Sequence, residues 1–217
     1  MEFIEIATEQ TTAVTDAIMA IMSIVAALQL RKIGASNRWK SNLWVCAFAL
    51  LTTAGVLGAI AHGFKISDDL RSFLWQPLYL SLGLLVSLFT VAAAYDIFGK
   101  NAASRLLPIM IVVGVGFFGV TLVLPDSFLV FIAYEVSAML FALFGYVVVA
   151  SRGKLEGAWL MVLGVLVTVI AAGVQATKAL SFTFIWSFDH NGVYHLIQMA
   201  GIVLLVAGLR KAFPSRN

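Results

Sequence analysis

Leu106-Leu-Pro-Ile-Met-Ile-Val-Val-Gly-Val-Gly-Phe-Phe-Gly-Val-Thr-Leu-Val-Leu124 carries no charged side chain and a single hydroxyl. At about 1.5 Å per residue, such a run can cross roughly 30 Å of hydrocarbon. A helix apolar all round has no face to offer to water. Six more stretches read the same way. The predicted spans are Thr11–Leu30, Asn42–Gly63, Phe73–Tyr95, Ser104–Leu124, Ser127–Ser151, Ala158–Thr177 and Asn191–Leu209. The chain of 217 residues is 61% hydrophobic and only 12% charged, where soluble domains run near a quarter charged. The expected fold is therefore all-α: a polytopic membrane protein with a seven-transmembrane-helix bundle in one domain over residues 1–217.

Connections are short, so consecutive helices are expected to be antiparallel neighbours. Pro77 and Pro108 fall in the first turns of their helices, where proline is tolerated. Pro125-Asp126 reads as a tight turn. Gly55 with Ala59, and Gly114, Gly116 and Gly119, invite close helix approach. Trp44, Trp75, Trp159 and Trp186 are expected at membrane interfaces, and the lone Cys46 as a small buried apolar residue.

The basic residues give the bundle a direction. Of the 14 Lys and Arg, all but Lys65, Arg71 and Lys178 fall on one side of the alternating spans. That side holds Arg31 to Lys40, Lys100, Arg105, Arg152, Lys154, Arg210, Lys211 and Arg216. The positive-inside rule then puts the N-terminus outside and the C-terminus in the cytoplasm. The pI of about 9.1 reflects this asymmetry and attraction to anionic lipid, not affinity for nucleic acid. Glu2, Glu5 and Glu9 precede the first apolar run with no basic residue, so a cleavable signal is not expected there. A bacterial inner membrane is the expected location.

All three histidines fall at span ends on the predicted outer side. His62 closes the second span; His190 and His195 open the last. Asp16 lies about one turn inside the first span and Glu135 about two turns inside the fifth. Ionisable groups at membrane depth are costly and tend to mark function. Asn191, His195 and Gln198 are spaced to share one helix face, whereas His190 is turned away from it unless it precedes the helix behind an Asp189 or Ser187 cap. Imidazoles with a carboxylate and an open position describe a catalytic zinc site that activates water. The rival reading is a polar cluster that only holds helices together. Helix seven has no lysine before Arg210, which rules out a retinal Schiff base. No phosphate-binding loop or paired half-helices mark a pump or transporter.

Gly58-x-x-x-His62 in the second span and Asn191-x-x-x-His195-Leu196 in the seventh resemble the alkaline ceramidase-like superfamily, which includes the adiponectin-receptor-like and Per1-like proteins. That family shows Ser-x-x-x-His in the second span and His-x-x-x-His in the seventh. Gly58 and Asn191 therefore depart from its pattern. The resemblance implies a zinc-dependent hydrolase of a lipid or acyl amide. His62 and His195 match metal ligands, and Asp68 or Asp69 stands near the family's aspartate. The resulting expectation is a metal-dependent intramembrane hydrolase. His62, His195 and His190 would hold zinc, Asp16 and Glu135 would move protons, and Asn191, Gln198, Asp68 and Asp69 would complete the polar cluster. It requires the outer ends of spans two and seven to meet beside Asp16. The alternative is a non-catalytic membrane subunit or small-ligand binding protein. Oligomers or partner subunits are compatible with either.

Overall fold

The computed structural model describes residues 2–124 and 128–213, the Phe128 side chain excepted; the predicted Pro125-Asp126 turn and Arg216 lie outside the described residues. The described residues form seven α-helices, each long and apolar enough to cross a membrane. They are α1 (Ala7–Ile33), α2 (Arg38–Gly63), α3 (Asp68–Phe98), α4 (Lys100–Val123), α5 (Phe128–Ser151), α6 (Ala158–Thr177) and α7 (His190–Ala212). A two-stranded hairpin, β1 (Phe182–Thr183) with β2 (Ser187–Phe188), precedes α7.

Local chemistry sets the boundaries. Asn37 caps α2 by accepting from Lys40 N, and Ser67 caps α3 by accepting from Leu70 N. Gly99 sits at φ 86°, a left-handed conformation that suits glycine, and lets α4 start one residue after α3 ends. Helices α1, α2, α3 and α4 begin several residues before the predicted spans, because polar first turns continue a helix beyond its apolar stretch.

Helices α1, α2, α3, α5, α6 and α7 close a ring in which each packs on the next, and α7 packs back on α1. Helix α4 packs on α3 outside that ring. Gly83 and Gly114 meet at the seam: a Cβ added at Gly114 would lie 2.8 Å from Gly83 O. Gly116 and Gly119 instead face open space. Only 11% of the most apolar window of α4 is buried, as expected of a helix surrounded by lipid.

The ring order corrects one expectation. Helices α2 and α7 do not share a packing seam; α1 lies between them and packs on both. The reason is small residues on α2. A Cβ at Gly55 would stand 2.9 Å from the backbone oxygen of Asp16, so only glycine admits α1 this closely. Two further readings are corrected. Trp44 is 1% exposed and lies in the core. Cys46 is exposed, on the side of α2 turned away from Trp44 and the core.

Candidate functional site

All seven helices contribute to a cavity of about 690 Å³ at the end of the bundle that carries the histidines. Helix α1 contributes Thr12 and Asp16, α2 Gly58 and His62, α3 Trp75 and Gln76. Helix α6 brings Gln175 and Lys178; α7 brings His190, Asn191 and His195. The wall toward the bundle centre is apolar, with Met19, Leu51, Leu82 and Phe131. The volume lies in the range of small-molecule sites, which are mostly apolar with a few convergent polar groups.

Asp16 is the only carboxylate lining this cavity among the described residues. Its side chain is 9% exposed, and Oδ1 stands 3.5 Å from His195 Nε2. A Cβ at position 58 would fall 2.7 Å from Asp16 Oδ2. The glycine that departs from the Ser-x-x-x-His pattern therefore makes room for the carboxylate of α1. His195 Nδ1 lies 2.8 Å from Thr15 Oγ1. Thr15 has one hydroxyl proton, and backbone oxygens of Thr11 and Thr12 stand 3.0 and 2.9 Å away to accept it. With that proton so used, His195 Nδ1–H donates to Thr15 and Nε2 is the nitrogen facing Asp16. Thr15 thus anchors the ring at Nδ1.

His62 is held from the other side. Its Nδ1 is 2.6 Å from Glu9 Oε2, and its ring sits edge-on to Trp75. Residues 2–6 strap this corner down: Ile4 N donates to Gly63 O, Lys65 N to Glu2 O, and Phe3 stacks on Phe64. At the opposite rim Asp189 caps α7, accepting from Asn191 N and Gly192 N. Thr12 donates to the same Asp189 oxygen across 3.4 Å, and Gln175 Nε2 donates to Asn191 Oδ1 across 3.3 Å. His190 opens α7 with Nδ1 3.9 Å from Asp189 Oδ2.

The predicted site residues therefore divide. Asp16, His62, His190, Asn191 and His195 line one cavity. Glu135 and Gln198 lie deeper, in an adjoining chamber. Asp68 and Asp69 are exposed on the first turn of α3 and line neither space. Among the described residues, no group of three or more His, Cys, Asp or Glu is placed to hold a metal ion. With fewer than three such donors converging there, the arrangement does not supply the three protein ligands of the zinc that the resemblance implies.

The opposite end holds a second buried polar cluster that the span boundaries hid. Lys40 Nζ and Asp96 Oδ1 pair at 2.5 Å with side chains 4% and 2% exposed. Tyr146 donates to Asp96 Oδ2, and Lys40 also lies over the ring of Phe213. Asp96 follows directly on the predicted end at Tyr95. The apolar flank Ala92-Ala93-Ala94 before it and Ile97-Phe98 after it was the available signal.

Residues 11–213 match the family described as "Family of unknown function (DUF6962)". The chain belongs to that family. No curated protein and no solved structure matches it. The cavity of this DUF6962 chain thus has to be read from its own side chains.

Proposed function

We propose that the protein binds an amphipathic small molecule in the histidine-end cavity. The polar part would meet Asp16, Asn191 and Gln175, and the apolar part the wall of Met19, Leu51 and Leu82. The observation that carries this reading is the cavity itself: about 690 Å³, lined by residues of all seven helices, with a buried carboxylate at its side and an apolar floor. The asymmetry of Lys and Arg supports an orientation in which the cavity opens on the outer face of a plasma membrane, so that a lipid enters sideways between helices.

A second reading is favoured by one contact, the approach of Asp16 to His195 Nε2 at 3.5 Å. A carboxylate beside an imidazole can take a proton from water and return it to a leaving group. On this reading the ligand is a lipid ester or acyl amide and the protein hydrolyses it. Asp16 acts as the acid–base group, and His195, anchored on Thr15, positions it. No step is routed through a metal.

The test is purification into lipid nanodiscs, extraction, and mass spectrometry of what stays bound. Wild type should retain an amphiphile in stoichiometric amount, and Asp16→Asn should lose it. An empty wild type, or equal retention by the variant, overturns the binding reading. Incubation with a mixture of lipid esters and acyl amides decides the second reading. Free fatty acid released by wild type and not by Asp16→Asn supports hydrolysis; no release refutes it.

A further inference from the structure

Against the floor of the cavity lies a second chamber of about 80 Å³. The two spaces share Met19, Leu51, Leu82, Phe131 and Tyr194 as wall residues. The chamber is lined by aromatic rings, among them Trp44, Phe48 and Phe89, with Trp44 and Phe89 edge to face at 5.7 Å. Its polar groups are Glu135, Gln198, Thr168, Tyr194 and the indole N–H of Trp44, which has no hydrogen-bond partner. Glu135 is 5% exposed, and neither its Oε2 nor the Oε1 of Gln198 has a hydrogen-bond partner. Thr168 donates to Gly164 O and keeps oxygen lone pairs free.

A buried carboxylate with no counter-charge is costly, and no Lys, Arg or His lines this chamber among the described residues. Aromatic faces attract a cation, the more so when it is desolvated. Two unpartnered oxygen acceptors beside aromatic rings match a group that carries positive charge and several N–H donors, and an ammonium brings three. The volume equals roughly two or three waters at about 30 Å³ each, which suits an ammonium with one or two carbons.

We propose that the deep chamber binds the ammonium group of a primary aliphatic amine. Glu135 is the counter-ion, Gln198 and Thr168 are further acceptors, and the rings of Trp44 and Phe89 are part of the cage. The proposal rests on the cavity reading for the remainder of the ligand, which runs outward past Met19 and Leu82. The ligand class is then an amphiphile with an amine at its inner end.

The experiment uses n-butylamine and n-butanol as water-soluble probes of the protein in nanodiscs. The readout is the tryptophan emission that Trp44→Phe removes. Butylamine should saturate that signal at a concentration at least tenfold below butanol, and Glu135→Gln should abolish the preference. Gln198→Leu, which leaves the carboxylate in place, should weaken butylamine several-fold without affecting butanol. Equal midpoints for the two probes overturn the proposal, as does a preference that survives in Glu135→Gln. So does an identical saturating response to sodium chloride alone, which would make the chamber an alkali-cation site. Retention of the amphiphile in Asp16→Asn scores the cavity reading separately, so failure of either is visible without the other.

Discussion

The two ends of this bundle bury charge in opposite ways. At one end Lys40 and Asp96 meet at 2.5 Å, Tyr146 takes the second carboxylate oxygen, and Phe213 lies beside the ammonium. At the other, Asp16 faces a cavity of about 690 Å³, with His195 Nε2 at 3.5 Å. A closed, fully partnered pair is what a membrane bundle needs to carry charge without leaving it exposed to hydrocarbon. An acid left half-partnered against open space has little structural use and is free to meet a ligand. The contrast separates a closed cluster from an open one, though both are built from buried ionisable groups.

The contrast breaks most visibly at the closed end. Lys40→Met leaves Asp96 buried without its counter-charge and should cost about 3–5 kcal/mol in reversible denaturant unfolding, while Lys40→Met with Asp96→Leu should recover most of that loss. Ligand retention should be unchanged in the double variant. If Lys40→Met unfolds like wild type, the pair is not the clamp described here.

Gly58→Ala tests the open end through packing. Its Cβ would lie 2.7 Å from Asp16 Oδ2, so α1 and α2 must part or the carboxylate must move. Overpacking of this kind should cost about 1–3 kcal/mol and also reduce ligand retention. Wild-type retention and stability together would mean that the α1–α2 seam is looser than described. Asp16→Asn should lower ligand affinity about tenfold, equivalent to about 1.4 kcal/mol, with little change in the unfolding midpoint. A large stability loss with intact binding would move Asp16 to the structural class beside Lys40. The smallest effect is expected for Glu9→Gln, which weakens the partly exposed contact to His62 and should cost under about 1 kcal/mol. A greater cost would show that this rim contact clamps α1 to α2.

Much of this was legible in the residues. All-round apolarity marked the helices. The i, i+4 spacing of Asn191 and His195 put both on the cavity wall, and the depth of Asp16 in its span put it level with them. Other features were not readable locally. The order of helices around the ring depends on which faces fit, and Gly55 and Gly58 show their effect only once α1 is laid against α2. Lys40 looked like one more loop cation, because its partner Asp96 stood just past the apparent end of the third span. Trp44 looked interfacial by its position along the helix, but its side chain points inward. Glu135 lies toward the same end of the bundle as Asp16 yet opens into a different space, since it sits deeper along α5 than Leu129, Phe131 and Ile132, which line the larger cavity.

The most direct measurement is a high-resolution structure of the protein purified in nanodiscs from its native membrane. The account predicts non-protein density within hydrogen-bond distance of Asp16 and Asn191, extending past Met19 toward Leu82, and absent in Asp16→Asn. A collapsed cavity, with Asp16 sealed against Gly58 and His195 and no density between α1, α3 and α7, would contradict it.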